Sequence, residues 1–256
     1  ACGQQEPAAP APAAAPPGDH RPVSPRTATH LLTLSFDDGF AKSFRLAADI
    51  AEEFGVKADL NIIAGACEPG FTPADEYHNV PVGGWDLWNE LAARGHEIGM
   101  HSWDHHNHAT EPLELVRQKI DRCLAAFERH LKAFVRRDAV YYFPYNASTP
   151  AVESYLNSQV RAYRSGGSGF NALPTPATRR LHCAAFGPGN CETHLDGCVA
   201  KWQAAPSGWL IYNTHGYDEE GWGPITPDYN RRLYARLLKL PHVAIVAPRD
   251  ALRSAA

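Results

Sequence analysis

Short apolar runs alternate with longer amphipathic stretches along this chain from His30 onward. Residues 31–36 have the length of a buried strand, whereas residues 41–54 repeat apolar side chains at helical spacing and precede Gly55, a helix-ending signal. Strands that alternate with helices build parallel sheets and barrels. The alternation therefore predicts an α/β fold, a distorted (β/α)7-type barrel of about seven strands with intervening helices.

Two segments interrupt this alternation, residues 66–83 and 166–206, and both are rich in glycine, proline and cysteine. We interpret them as two long loop insertions over one end of the barrel. The predicted strands are residues 31–36, 58–63, 97–100, 140–143, 159–163, 209–214 and 243–246. The predicted helices are residues 41–54, 85–94, 112–134, 150–157 and 227–240.

Residues 1–28 are rich in alanine and proline and have almost no large apolar side chain. Such a composition predicts a flexible, polyproline-like tether, followed by one domain at residues 29–254. Cys2 resembles the lipidated cysteine of bacterial lipoproteins, and a lipid there would anchor an exported protein in the periplasm or at the cell surface. A cysteine without such a role is the alternative.

The charge balance excludes one class of function. The chain has 24 Lys and Arg against 28 Asp and Glu, a net charge of -4. Without a basic excess, non-specific binding to nucleic acid is not expected. The 13 histidines are more informative, since histidine is the commonest metal ligand and titrates near neutral pH. The oligomeric state cannot be predicted.

Four of the six cysteines fall in the two predicted insertions. In an exported chain they would pair as disulfides, in a connectivity that the sequence does not define. A zinc site completed by His182 or His194 is the alternative, although the C-x₂-C spacing typical of such sites is absent. The four are Cys67, Cys183, Cys191 and Cys198, whereas Cys123 is expected to be a buried small apolar residue.

Three predicted strands end in polar side chains. Residues 35–39 read SFDDG, residues 96–105 read HEIGMHSWDH and residues 209–215 read WLIYNTH. The carboxyl ends of parallel strands share one rim, where such folds place ligand sites. Adjacent carboxylates indicate a cation or a shared proton, and two histidines four residues apart can bind one divalent ion. A helix-capping aspartate and a structural strand-end histidine are the alternatives for the first and third segments.

Together the three segments resemble the motifs of the polysaccharide deacetylase family, the NodB-homology carbohydrate esterases similar to family 4, over about residues 29–250. The resemblance implies the NodB-homology barrel and hydrolysis of acetyl groups on a polysaccharide or oligosaccharide. It implies that one divalent metal is held by Asp38, His101 and His105. Zinc is the expected ion, with cobalt, nickel or manganese as alternatives. It also implies Asp37 as general base, His215 as general acid and the backbone N–H of Tyr145 as oxyanion donor.

The sequence departs from the family pattern at three places. Tyr142 stands where the family has an arginine that orients the base, so we predict that Arg164 from the next strand supplies this charge. Asn213 stands where the family often has a leucine lining the acetyl pocket. The family's aspartate that tunes the acid histidine has no counterpart in residues 164–171. We expect Tyr142, Trp103, Asn213 and Arg164 to contribute to substrate binding.

Aromatic side chains near the predicted rim can stack on sugar faces. The expected substrate is a polymer containing N-acetylglucosamine, with an O-acetylated polysaccharide second and a small acylated amide third. A carbohydrate- or metal-binding domain without turnover is the alternative from another class. The aromatic side chains are Trp85, Trp103, Trp222, Tyr145 and Tyr217.

Overall fold

The protein is described from a computed structural model, for residues 22–71, 79–167 and 169–255. Its centre is a sheet of eight strands: β1 (His30–Phe36), β2 (Asp59–Ile62), β3 (Glu97–Met100), β4 (Val140–Tyr142), β5 (Ala162–Ser165), β6 (Arg180–His182), β7 (Gly208–Thr214) and β8 (Val243–Ile245). The strand order is β6-β5-β4-β3-β2-β1-β7, with β8 also beside β1. Every pair between these strands is parallel.

The sheet curls back on itself. Ala184, two residues after β6, forms a parallel bridge with Tyr212 of β7, and Asn213 N donates to Ala184 O at 2.8 Å. The two ends of the strand order therefore meet, and the predicted (β/α)7-type barrel is confirmed.

Helices connect the strands on the outside of the barrel. Their apolar faces and the outward side chains of the strands form one continuous core, which includes Leu34, Phe44 and Trp88. In the part of the chain that the structure describes, no helix is long and apolar enough to cross a membrane. The helices are α1 (Ala41–Glu53), α2 (Trp85–Ala93), α3 (Leu113–His130), α4 (Pro150–Leu156), α5 (Glu192–Gln203), α6 (Pro227–Leu237) and α7 (Pro248–Ser254).

The inside of the barrel changes from apolar to polar along the strands. Successive side chains of a strand point to opposite faces of the sheet. In β7, Leu210 and Tyr212 join the outer core, whereas Trp209 and Ile211 join a second, inner core. Because Asn213 continues the inner face, the strand delivers it to the carboxyl-terminal rim.

The prediction for residues 166–206 is wrong, because this segment contains β6 and α5. β6 is three residues long and half exposed, so it lacks a periodic pattern. α5 buries Leu195, Val199 and Trp202 at helical spacing, and this signal is obscured by Gly197 and the cysteines. β5 also lies later than predicted, at Ala162–Ser165 rather than 159–163, and α7 was not predicted.

The folded domain begins before residue 29. Val23 and Ala28 pack against the inner core, so the end of the predicted tether belongs to the domain. Residues 1–21, with Cys2, lie outside the described residues.

The predicted disulfides and zinc site of the insertions are not formed. Among the described residues, all five cysteines are free thiols: Cys67, Cys123, Cys183, Cys191 and Cys198. Cys123 is fully buried, as expected, whereas the described part of the chain shows a metal-type cluster of His, Cys or acidic residues at only one other place. The long insertion is instead held by β6, α5 and their packing against β7.

Candidate active site

The predicted catalytic and metal-binding residues converge on one cavity at the carboxyl-terminal rim, with a volume of about 380 Å³. Asp37 and Asp38 follow β1, His101 follows β3, and His215 follows β7. This size is typical of ligand pockets. The lining residues are Asp37, Asp38, His101, His105, Tyr145, Asn146, Ala185, Asn213, His215 and Trp222.

Asp38, His101 and His105 form a compact donor cluster. One ligand atom from each lies within 4.8 Å of the others. The Nε2 atoms of His101 and His105 are both 3.3 Å from Asp38 Oδ1. Among the described residues, Asp38 Oδ1 and His101 Nε2 are buried and have no hydrogen-bond partner. Buried polar atoms without partners are costly, and two imidazoles with one carboxylate fit a divalent ion such as zinc.

Backbone contacts orient both imidazoles. His101 Nδ1 lies 2.9 Å from the carbonyl oxygen of Tyr142, so this nitrogen carries the proton and Nε2 presents its lone pair to the cluster. His105 N donates to Ser102 Oγ at 2.9 Å, which closes the turn that brings His105 next to His101. The tautomer and orientation of His101 suit a metal ligand.

The charges within the cluster shift the pKa values of Asp38 and His101. Burial alone would raise the pKa of Asp38, but the charges of His105 and His215 hold it well below its usual range. Burial would lower the pKa of His101, yet the carboxylates of Asp37 and Asp38 raise it above the ordinary value. The site therefore favours an ionised carboxylate at Asp38.

Arg164 contacts Asp37 through two hydrogen bonds inside the barrel. Nη2 donates to Oδ2 at 2.5 Å and Nη1 to Oδ1 at 3.1 Å, and both side chains are almost fully buried. Burial would raise the pKa of Asp37, but Arg164 together with His101 lowers it to about 2. Arg164 thus lies where the sequence hypothesis requires, against the candidate base.

Two asparagines complete the surroundings of Asp37. Asn61 Nδ2 donates to Oδ1 at 3.0 Å, and Asn213 Nδ2 donates to Oδ2 at 2.9 Å. Asn61 was not identified from the sequence, although it alternates with Asp59 as the polar face of an otherwise apolar strand. That period-two pattern was the available signal.

Tyr142 and Trp103 do not line the cavity. The ring of Tyr142 lies below the guanidinium of Arg164, 4.9 Å from its Cζ, so Tyr142 supports Arg164 from the barrel interior. The ring of Trp103 packs against Arg122 at 3.8 Å. The positions of Tyr142 and Trp103 do not support direct substrate binding, and Arg164, fully buried, acts on Asp37 rather than on a ligand in the cavity.

A pair of buried acids lies below Tyr142. Its hydroxyl is 2.8 Å from Asp59 Oδ1 and 3.2 Å from Glu97 Oε1. A phenol has one proton to donate, so contacts to both acids require a proton on one of them. Burial raises the pKa of both carboxyls. Glu97 is therefore expected to be protonated in the folded protein.

His215 and Tyr145 both border the cluster. His215 Nε2 is 3.9 Å from Asp38 Oδ2, and the ring of Trp222 packs edge-on against His215 at 5.9 Å. Among the described residues, His215 Nδ1 has no hydrogen-bond partner, in keeping with the missing aspartate in the sequence. The ring of Tyr145 packs against His105 at 4.9 Å.

Left-handed backbone conformations concentrate around this cavity. Six described non-glycine residues have positive φ, and five of them belong to the rim: Asp38, Ser102, His105, Tyr145 and Asn146. Such conformations cost about 1–3 kcal/mol each and persist where the surrounding structure enforces them. This rim is shaped at the expense of backbone stability, as is common at functional sites.

A parallel barrel with an Asp/His/His cluster, a separate carboxylate and a separate imidazole on one rim defines a candidate metal-dependent hydrolase. The polysaccharide deacetylase family model matches residues 24–165. The chain belongs to the polysaccharide deacetylase family. No curated protein matches it.

Solved structures share the fold at low sequence identity. A family 4 acetyl xylan esterase from Clostridium thermocellum, in complex with cobalt, has a TM-score of 0.57 and 16% identity over 87% of this chain and 90% of its own. The peptidoglycan deacetylase PdaC from Bacillus subtilis has a TM-score of 0.54 and 13% identity, over 91% of this chain and 93% of its own. A CE4-family pseudoenzyme from Bacillus anthracis has a TM-score of 0.56 and 11% identity, over 89% of this chain and 66% of its own.

Proposed function

We propose that the protein is a metal-dependent hydrolase that removes acetyl groups from a carbohydrate, with an N-acetylglucosamine polymer as substrate. The observation that carries this proposal is the unpaired donor cluster of Asp38 and His101, open to a cavity that also holds Asp37 and His215. Family membership supports the deacetylase chemistry.

Asp38, His101 and His105 would hold the ion, and zinc suits their nitrogen and oxygen donors. A divalent ion bound there would polarise the acyl carbonyl and make a water ligand more acidic. The carbonyl oxygen of Tyr142 keeps His101 in the tautomer that such binding requires.

The chain's own residues divide the proton transfers. Asp37 Oδ2, 3.7 Å from His101 Nε2, accepts a proton from the attacking water. His215 Nε2, 3.9 Å from Asp38 Oδ2, donates a proton to the departing sugar nitrogen or oxygen. The backbone N–H of Tyr145 stabilises the oxyanion. Trp222 and Tyr145 supply aromatic faces for the sugar.

A second candidate is a carbohydrate- or metal-binding domain without turnover. Asp37 already accepts four hydrogen bonds, from Asn61, Asn213 and Arg164, and its low pKa weakens it as a proton acceptor. The Nδ1 atom of His215 also has no partner among the described residues. These features favour binding over fast catalysis.

Acetate release separates the two candidates. We would compare zinc-loaded and metal-stripped protein on N-acetylglucosamine oligomers, peptidoglycan fragments and O-acetylated xylan. Metal-dependent release by the wild type, abolished by Asp37→Asn, is the expected result, with the oligomers as the preferred substrate. His106→Ala is the matched control, because His106 is half exposed and outside the cavity.

Metal bound at one equivalent without acetate release from any substrate would reject the hydrolase and support the binding domain. Preference for xylan would keep the hydrolase and replace the amide substrate by an ester.

A further inference from the structure

Asn146 and Asn213 connect Arg164 to Asp37 through side-chain amides, an arrangement that we name the amide bridge. Arg164 Nε donates to Asn146 Oδ1 at 3.1 Å. Asn146 Nδ2 donates to Asn213 Oδ1 at 3.2 Å, and Asn213 Nδ2 donates to Asp37 Oδ2 at 2.9 Å. With the direct pair of Arg164 and Asp37, the four side chains close a hydrogen-bonded circle.

The end groups fix the direction of this bridge. A guanidinium can only donate hydrogen bonds, and a carboxylate can only accept them. Each asparagine between them must therefore accept on the side of Arg164 and donate on the side of Asp37. The amide orientations follow from this requirement, without any need to observe hydrogen atoms.

The bridge joins strands that are not neighbours in the barrel. Asp37 and Asn213 follow or end the adjacent strands β1 and β7, whereas Arg164 belongs to β5. Asn146 lies in the turn after β4 with φ of 50°, a left-handed conformation that asparagine tolerates better than most residues. Its carbonyl oxygen accepts a hydrogen bond from Gly166 N at 2.5 Å, which ties the turn to the end of β5.

We propose that Asn146 and Asn213 are positioning residues that fix the carboxylate plane of Asp37 by linking it to the Nε face of Arg164. Besides the two bonds from Arg164, Asn61 Nδ2 restrains Asp37 Oδ1 at 3.0 Å. The bridge adds a restraint at Oδ2 that runs through the turn after β4. Both asparagines line the cavity, so the restraint acts at the reacting surface. The catalytic consequence rests on the proposed function, whereas the restraint itself does not.

Isosteric substitutions test the direction of the bridge. Asn146→Asp keeps the size of the side chain but faces the acceptor oxygen of Asn213 with a second acceptor. We expect kcat for acetate release to fall about tenfold with KM within about twofold, since a misaligned reacting group lowers the rate more than binding. In an Arg164→Ala background the same substitution should lower kcat little further, because the bridge has already lost its contact with Arg164.

Asn171→Asp is the matched control. Asn171 is buried, whereas Asn146 is half-buried, and the side chain of Asn171 bonds the backbone of His182 and Trp209, outside the cavity. We expect this variant to lose stability and keep its kcat. An equal fall in kcat for Asn146→Asp and Asn171→Asp, at equal loss of stability, would overturn the proposal.

A double-mutant cycle in metal-free protein tests the bridge without any activity. Asn146→Gly, which retains the left-handed backbone, is combined with Asp37→Asn, and urea unfolding is measured for all four proteins. A connected bridge predicts that the two substitutions are non-additive by about fivefold or more in the unfolding equilibrium constant. Additive effects would reject the bridge. If the wild type releases no acetate, this cycle still decides the bridge while the proposed function fails.

Discussion

Arg164 and Asp37 form a bidentate ion pair inside the barrel, between residues that are 127 positions apart in the sequence. The pair is almost entirely withdrawn from solvent. A buried ion pair adds little net stability, but removal of one partner leaves an uncompensated charge.

Arg164→Ala should therefore destabilise the metal-free protein strongly, by roughly 3–5 kcal/mol at neutral pH. Arg253→Ala is the control, because Arg253 forms an exposed pair with Asp138 at 2.6 Å, and such pairs contribute less than about 1 kcal/mol. Urea denaturation measures both. A similar loss of unfolding free energy in the two variants would contradict the large cost expected for breaking the buried pair.

The acids below Tyr142 predict a pH-dependent stability. The folded-state pKa of Glu97 is raised above its ordinary value of 4.5, chiefly by burial and then by the charge of Asp59. Above that ordinary value the folded protein keeps a proton that the unfolded chain loses, so stability falls as the pH rises towards the folded pKa. The slope can reach about 1.4 kcal/mol per pH unit.

Glu97→Gln should flatten this dependence, because glutamine cannot ionise. Unfolding free energies between pH 5 and 8 provide the measurement, and Glu128→Gln serves as the control at an exposed position. A wild type whose stability is constant across this range would show that Glu97 is not protonated when folded.

Zinc should stabilise the protein through the donor cluster. At a free zinc concentration of about 100 times Kd, the expected gain is about 2.7 kcal/mol, seen as a higher Tm that a chelator reverses. Asp38→Asn and His101→Ala should abolish the gain, and His106→Ala should preserve it. A gain that persists in both cluster variants would place the metal elsewhere.

The free cysteines predict that a reducing agent leaves Tm unchanged. Burial raises the pKa of Cys183 and of Cys191 to about 11, so these thiols should react slowly with a thiol reagent in the native protein. Unfolded Cys2→Ser protein, prepared without reductant, should titrate five thiols, the number that the structure describes as free. Two missing thiols would indicate a disulfide.

The sequence predicts the barrel because its strands and helices have clear periodicity, as in β1 and α1. It predicts the convergence of Asp37, His101 and His215 because each follows a strand, and parallel strands share a rim. Arg164 could be proposed only because the absence of an arginine at Tyr142 left a charge to be supplied.

Asn146 could not be predicted from its neighbours. Its role depends on a turn after one strand reaching the side chain of another, a relation that local patterns do not encode. The same holds for the acid pair of Asp59 and Glu97, whose contact arises from the register of β2 against β3.

The distance in sequence between Asp37 and Arg164 also bears on how the molecule forms. Closing a chain segment of 127 residues carries a large loop entropy, and contacts of this kind slow folding. The guanidinium reaches the carboxylate only when both β1 and β5 are in place in the sheet. We expect the pocket to be completed late in folding, after the helices have packed, so that partly folded chains contain a barrel wall without a working site.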